Sequence, residues 1–572
     1  MNNDTQQASS LAEYSATRCY SMAFLTVLLV CTSFAAAASC LLLIVYGLTE
    51  NVQDTGLLFR LGVKAVFFIV ATAVSGGVMW ATRPTTCANY PGIQVHCSLG
   101  WKEGAGLLAI LSMIAFEITP NLPRYPWGAP DETHHLVVAR NVAAYGLYAS
   151  GNADAGFKLF DPYDSVGAPV ILPVAAALRL AGVDSSPETM LLAARLVAVM
   201  YYVILCMAVF FLARTVLGAP SALMGILVMT ASFGSTYLAR TIYGEVPALA
   251  FLVVALYLWR EGLREPRASG WLVLAGACFG LSVLCKSIMV LTVFAFLGAY
   301  AYDAVTFRRT RWSHFLIPGL CCFFVIAAWW VFQTLFQYDV VTEAGGTLGM
   351  YQHNLMFGYR SAGRAIEWML KEPLALLGIL CGMAIAVPIL FHKRYDPPLV
   401  VLFLTAAFFA FWWIFFTPGQ IPRYVWFSYA IGAVLAGAAG WNALRDAFSG
   451  RRAWLRRAIG VALAVIVFLP AVERASREVT EIFTIDEMHD DRELALLIQD
   501  LPRSAHVSTT YWPLARTLNF LACRNVEVIE RVPARIDLGT IVIVDLMTQP
   551  DLAKGFRPSM HLGRYAILTG TS

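Results

Sequence analysis

The sequence predicts an α-helical polytopic membrane protein with about thirteen transmembrane helices and a small α/β domain at its C-terminal end. Three observations carry that expectation. Of the 572 residues, 58% are hydrophobic and only 14% charged, against roughly 45–50% and 25% in soluble domains. Apolar runs recur along the chain, most of them near the ~20 residues that a helix needs to cross a bilayer. Basic residues then concentrate in every second short connection, as the orientation rule for membrane helices requires. This composition excludes a soluble enzyme, a disordered chain and a fibrous repeat. A net charge of +4 is too small to point to a polyanion, so no nucleic-acid partner is expected.

The apolar runs cover residues 21–48, 61–82, 102–119, 191–213, 217–238, 243–260, 270–285, 287–305, 313–337, 373–391, 399–417, 424–444 and 457–472. The first exceeds a signal-peptide core and has no basic segment before it, so it reads as a retained span. The seventh and eighth are separated only by Lys286-Ser287 and read as a tight re-entrant pair. With the N-terminus inside, the cytoplasmic loops carry Arg83 and Lys102, Arg214, Arg260 with Arg264 and Arg267, Arg308 with Arg309 and Arg311, Lys393 with Arg394, and Arg445 to Arg457. The short outer loops carry isolated bases such as Arg240 and Arg423. Most of the twelve cysteines lie in apolar runs, where a thiol behaves as a small hydrophobe. Cys87 and Cys97 share a loop placed on the reducing side.

Three polar segments fall outside the cytoplasm, at about 120–190, 338–372 and from 473 onward. Residues 1–472 thus form the membrane module and 473–572 an extracytoplasmic domain. In that tail Arg492–Gln499 reads as a helix, and His506–Ser508, Val526–Ile529 and Ile541–Val544 read as strands.

The first outer loop contains Asp131-Glu132-Thr133-His134-His135. Asp131 reads as an N-cap, followed by an amphipathic helix over Leu136–Tyr148 lying on the membrane surface, with Val138, Val142 and Tyr145 on one face. Helix capping is the competing explanation of the acidic pair. Asp131, His134 and His135 stand at i, i+3 and i+4, which puts three potential ligands of a divalent ion on one face. Interfacial histidines explain the same pattern, and no metal or other cofactor is assigned.

Further along come Phe160-Asp161-Pro162-Tyr163, Gly167-Ala168-Pro169, Ala194-Arg195-Leu196, the segment Ala239-Arg240-Thr241-Ile242-Tyr243-Gly244-Glu245, and Cys285-Lys286. This order, over roughly residues 105–300, resembles the lipid-linked-sugar glycosyltransferases of the GT-C superfamily, with the protein O-mannosyltransferases and the aminoarabinose transferases as near relatives. The family's frequent Lys-Pro-Pro of the first loop is absent here, and the first two spans look like an addition. The resemblance implies a GT-C-like membrane fold and transfer of a sugar, with inversion, from a polyprenyl-phosphate donor to an extracytoplasmic lipid, glycan or protein. The bilayer, the lipid-linked sugar and that acceptor are the partners it implies.

The residue types suit that chemistry. A base must take the acceptor's hydroxyl proton, and cations must hold the leaving phosphate. Asp131 is the candidate base, Glu132 its support, and Glu245 a contact to acceptor or sugar. Arg195, Arg240, Lys286 and Arg423 are the candidate phosphate ligands, since charges near membrane depth usually face a cavity or a partner. Snorkelling to lipid headgroups is the competing reading of these bases. Tyr351-Gln352-His353-Asn354, with Arg360 and Arg364, reads as a lid. The alternative function is a transporter or flippase, against which stands the lack of repeated halves with interrupted helices. With Asn3-Asp4-Thr5 the one N-x-S/T match, and on the inner side, a bacterial inner membrane is expected, with the site on its outer face.

Overall fold

The computed structural model describes residues 101–336 and 396–570, other than 128–129, 155, 161–165, 233, 265–268, 307–310, 417–421, 450–453 and 555. Between 337 and 395 it describes only positions 376, 380 and 384. The expected spans 21–48 and 61–82 lie outside the described residues, as does 373–391 apart from those three positions, which are helical. So do Tyr351–Asn354, Arg360, Arg364, Cys87, Cys97 and Asp161–Tyr163.

The ten remaining apolar runs are helical. In chain order the outer-loop and membrane helices are α1 (Trp101–Ile118), α2 (Pro130–Tyr145), α3 (Ala168–Ala181), α4 (Pro187–Leu217), α5 (Ala219–Thr230), α6 (Ser235–Ala239), α7 (Glu245–Arg264), α8 (Ser269–Cys285), α9 (Thr292–Thr306), α10 (Ser313–Phe336), α11 (Pro397–Phe416), α12 (Pro422–Ser449) and α13 (Trp454–Thr484). A hairpin of β1 (Ala149–Asn152) and β2 (Gly156–Leu159) joins α2 to α3. Among the described residues six helices are long and apolar enough to cross a membrane, and three shorter apolar helices accompany them. The chain is a multi-pass membrane protein. Its outward faces agree with that: Leu316, Leu320, Phe323, Phe324 and Val331 on α10 are all exposed. An apolar stripe of that length faces lipid, because soluble surfaces rarely expose contiguous apolar patches.

Two membrane segments depart from the sequence reading. The expected span 217–238 is broken into α5 and α6, because Gly234 adopts the left-handed conformation with φ +71°, which glycine alone takes without steric cost. The expected re-entrant pair is not a pair. Lys286 is extended, a 3₁₀ turn covers Ser287–Leu291, and α9 then packs on α11 while α8 packs on α7 and α10.

The helix carrying the acidic pair also differs. It begins at Pro130 rather than Leu136, so Asp131 lies in its first turn and not before it. Nor does it float on the membrane surface: Glu132 to Asn141 are all buried. Its polar side is covered by the C-terminal domain, where Arg140 donates to the carbonyls of Asn519 (2.9 Å) and Phe520 (3.1 Å). Periodicity within the helix held no trace of a cover 380 residues away.

The helix α13 continues past residue 472 to Thr484 and leads into the tail fold. There α14 (His489–Gln499), β3 (His506–Thr509), α15 (Trp512–Leu521), β4 (Glu527–Val528), β5 (Thr540–Asp545), β6 (Met560–Leu562) and β7 (Tyr565–Thr569) form a five-stranded sheet in the order β4-β3-β5-β7-β6. The β3–β4 and β3–β5 pairs are parallel, and β5–β7 and β6–β7 antiparallel. The helix α15, the crossover after β3, was not read from the sequence, nor were β6 and β7.

The tail grips the turn that precedes α2. Ile482 accepts from Asn121 Nδ2 (3.0 Å), Glu481 from Tyr125 Oη (3.0 Å), and Glu487 from the Trp127 backbone N–H (2.6 Å). The Trp127 indole donates to Asp491 at 2.8 Å, and Arg492 donates to the Pro123 carbonyl at 3.0 Å. These bonds fix the turn from which the acidic pair is presented.

Candidate active site

The acidic pair divides. Glu132 is fully buried and accepts from Arg195 through both oxygens, Nε at 3.0 Å and Nη2 at 2.8 Å. Its Oε1 also accepts the Ile242 backbone N–H at 3.0 Å. The remaining Arg195 nitrogen donates to the Leu122 carbonyl at 2.6 Å. A bidentate guanidinium–carboxylate pair is among the strongest and most directional contacts available, so Glu132 and Arg195 lock the start of α2 to α4. Asp131 instead keeps 36% of its side-chain surface and is ion-paired with Arg423. It is the accessible acid of the two.

Glu245 and Lys286 meet because two backbones touch. Gly244 lies so close to Cys285 that a Cβ there would stand 2.0 Å from the Cys285 carbonyl oxygen. Only glycine permits that approach, and it sets the first residue of α7 beside the residue that ends α8. Gly244 also starts α7, its carbonyl accepting from Ala248 N–H at 3.0 Å. Lys286 Nζ then lies 3.1 Å from Glu245 Oε1, and both groups are buried.

Arg423, at the head of α12, completes the cluster. Its Nε is 3.6 Å from Glu245 Oε1 while Nη2 reaches Asp131. Its guanidinium is 4.9 Å from the Tyr243 ring centre and 5.4 Å from that of Tyr424, within the range of cation–π attraction. Lys286 Nζ lies 5.1 Å from the Tyr424 ring centre. Two carboxylates and two cations therefore converge at one end of the helices, drawn from four separate segments. Burial works to raise the Asp131 carboxyl, but the Arg423 charge and hydrogen bond, with the Lys286 charge, outweigh it and hold it below the ordinary carboxylate range.

The cluster is only partly satisfied. Neither Glu245 oxygen makes an aligned hydrogen bond among the described residues, nor does Arg423 Nε, nor either ring nitrogen of His135. Buried polar atoms in this condition are rare in native proteins and call for a ligand, water or strain.

Arg240 is placed differently. Its guanidinium donates to the carbonyls of Ile118 (2.7 Å), Pro120 (2.7 Å) and Tyr125 (2.9 and 3.2 Å). It caps the C-terminal end of α1, where orphan carbonyls need donors, and braces the turn before α2. Of the four candidate phosphate ligands, Lys286 and Arg423 face Asp131 and Glu245, whereas Arg195 and Arg240 give their donors to protein groups.

Among the described residues no group of three His, Cys, Asp or Glu side chains is arranged to hold a metal ion. His134 and His135 stand with ring centres 6.2 Å apart. Tyr243, Tyr424 and Tyr237, whose hydroxyl is 3.3 Å from that of Tyr243, were not singled out in the sequence. Their adjacency to Glu245, Arg423 and Arg240 was the available signal.

The comparisons with known proteins bear on the fold that carries this arrangement. Residues 185–332 match the dolichyl-phosphate-mannose-protein mannosyltransferase family, a stretch that includes Arg195, Arg240, Glu245 and Lys286. The chain is similar in structure to ArnT from Cupriavidus metallidurans bound to undecaprenyl phosphate, with a TM-score of 0.58 at 13% identity over 83% of this chain and 100% of that one. Its apo form gives 0.55 at 14% identity, covering 82% and 100%. The oligosaccharyltransferase AglB from Archaeoglobus fulgidus, in complex with an inhibitory peptide and a dolichol-phosphate, gives 0.49 at 11% identity, covering 79% and 70%. No curated protein sequence shows significant similarity to the chain. With the motif order, the matched segment and the shared architecture in agreement, the chain has the fold of the GT-C superfamily of lipid-linked-sugar glycosyltransferases.

Proposed function

We propose that the chain transfers a sugar from a polyprenyl-phosphate donor to a hydroxyl-bearing acceptor outside the cytoplasm, with inversion, from the plasma (inner) membrane. The observation that carries this reading is the convergence of half-buried Asp131 with Lys286, Arg423 and Glu245 at one end of the helices. The undecaprenyl phosphate named for the ArnT structure supports a lipid-phosphate donor.

Each residue type has a task in that reaction. Lys286 and Arg423 receive the phosphate as the bond between it and the sugar breaks; the phosphate leaves with the electron pair and needs no proton. The acceptor oxygen bonds to the anomeric carbon from the opposite face, and Asp131 takes its proton. Glu245 holds the two cations side by side before the donor arrives. Arg423 neutralises Asp131 in the resting site. An incoming phosphate draws that guanidinium away and so returns basicity to Asp131 when a donor is present. Glu132, Arg195 and Arg240 hold the frame.

Purified protein in proteoliposomes, given radiolabelled undecaprenyl-phosphate mannose or aminoarabinose and a detergent extract of the cell envelope, tests the reading. Label should leave the polyprenyl lipid and appear on an acceptor. Movement of intact lipid across the bilayer without cleavage would establish a flippase instead.

A further inference from the structure

His135 lies beside the cluster, and the proposed reaction leaves its chemistry unused. Its side chain is 1% exposed, and neither ring nitrogen finds a hydrogen-bond partner among the described residues. It stands four residues after Asp131 on α2, and side chains at that spacing share a helix face. A buried imidazole with both nitrogens idle is a net cost to folding, so packing alone does not account for it. Burial, with His134 next, pushes the ring well below its ordinary pKa; Asp131 pulls the other way, and the Lys286 and Arg423 charges add to the lowering. The ring is therefore neutral and carries one N–H donor and one lone-pair acceptor. A phosphate offers only acceptors and a carboxylate likewise. A hydroxyl offers both a donor and an acceptor, and it matches the ring.

Resting on the glycosyltransferase reading, we propose that His135 is a substrate-binding residue that holds a ligand hydroxyl beside Asp131. That hydroxyl belongs either to the donor's sugar ring or to the acceptor. The idle nitrogens are then the empty half of a hydrogen-bonded pair that forms when substrate enters.

Two variants test this: His135→Phe fills the site without polar atoms, and His135→Asn retains a donor and an acceptor. The probes are undecaprenyl phosphate and undecaprenyl-phosphate mannose, with affinity followed by quenching of tryptophan fluorescence and turnover by release of label to the envelope extract. His135→Phe should unfold at a higher temperature than wild type, since it removes the unbonded groups. If the hydroxyl is the donor's, it should also bind the mannosylated lipid up to about tenfold more weakly while binding the bare lipid phosphate as before. If the hydroxyl is the acceptor's, both lipids should bind normally and turnover should fall by up to the same factor. His135→Asn should fall between wild type and His135→Phe in either case. A more stable His135→Phe with wild-type binding and turnover overturns the assignment and leaves the glycosyltransferase reading standing. A wild-type protein that neither binds nor cleaves the mannosylated lipid overturns both.

Discussion

The two ends of α7 hold buried ion clusters of similar composition and opposite character. At the end opposite Glu245, Arg260 donates to Asp396 through Nε (3.1 Å) and Nη2, and to the Leu212 carbonyl and Thr215 hydroxyl, both at 2.5 Å. Every polar atom of Arg260 and Asp396 is accounted for, and none is among the buried atoms left without a partner. About fifteen residues away, or some 22 Å along the helix, Glu245 faces Lys286 and Arg423, shares Arg423 with Asp131, and keeps both oxygens without aligned bonds. The first cluster ties α4, α7 and α11 together and is complete as it stands. The second holds donors and acceptors in reserve, and that difference, rather than burial or charge, sets apart the end proposed to be reactive.

The largest expected effect lies at Asp131. Asp131→Asn keeps the size of the side chain and its fitness for a helix start but removes the charge and basicity. Turnover should fall by roughly a hundredfold or more, the range for loss of a general base, with the melting temperature close to wild type. A variant retaining more than about a tenth of wild-type turnover would transfer the base role to Glu245.

The completed cluster should respond in the opposite way. Arg260→Ala strands Asp396 in the interior, and breaking a buried pair costs about 3–5 kcal/mol. Thermal unfolding in detergent should show this as a large loss of stability, while the surviving folded protein binds undecaprenyl phosphate with wild-type affinity. A stable Arg260→Ala protein with weakened lipid binding would erase the distinction between the two ends.

Lys286→Ala should have an intermediate effect. Losing a charge-assisted bond to phosphate costs on the order of 1.5–3 kcal/mol, so donor KM should rise about ten- to a hundredfold. Arg240→Ala, whose donors serve the Ile118, Pro120 and Tyr125 carbonyls, should lower the melting temperature before it changes donor KM. If Arg240→Ala instead behaves like Lys286→Ala, Arg240 is a phosphate ligand.

These contrasts also show where the sequence was readable. The alternation of basic loops predicts Asp131, Glu245, Lys286 and Arg423 on one side of the membrane, and the four do come together from four segments. Side-of-membrane is a one-dimensional property, and a sequence records it. Which cations face substrate is a three-dimensional property. Arg195 and Arg240 occupy the same end, but the Leu122, Ile118, Pro120 and Tyr125 carbonyls happen to turn towards them. Nothing in residue type announces where a turn's carbonyls will point. The burial of α2 was hidden for a related reason, since its cover is supplied by Asn519 and Phe520, far along the chain. The break at Gly234 was more accessible, because a glycine inside a short apolar run is a recognised interruption.

The smallest expected effect is a pH dependence of stability from the unsatisfied end. His135 is held neutral in the folded protein, with its pKa well below the ordinary value. The unfolded chain regains the ordinary value near 6.5 and takes up a proton as the pH falls past it, which the folded state does not do. The linkage therefore gives stability that is present above about pH 6.5 and is lost as the pH falls towards the folded pKa, with a slope of at most about 1.4 kcal/mol per pH unit. Asp131 moves the other boundary little, since its depressed pKa makes its own contribution fade only below the ordinary carboxylate range near pH 4. Between pH 7 and pH 5 the wild-type melting temperature should thus drop more than that of His135→Phe, and the gap between the two proteins should widen as the buffer becomes more acidic. Parallel curves would mean that His135 is charged or solvated in the folded protein, and the reserve of unbonded atoms at this end of α7 would then rest on Glu245 and Arg423 alone.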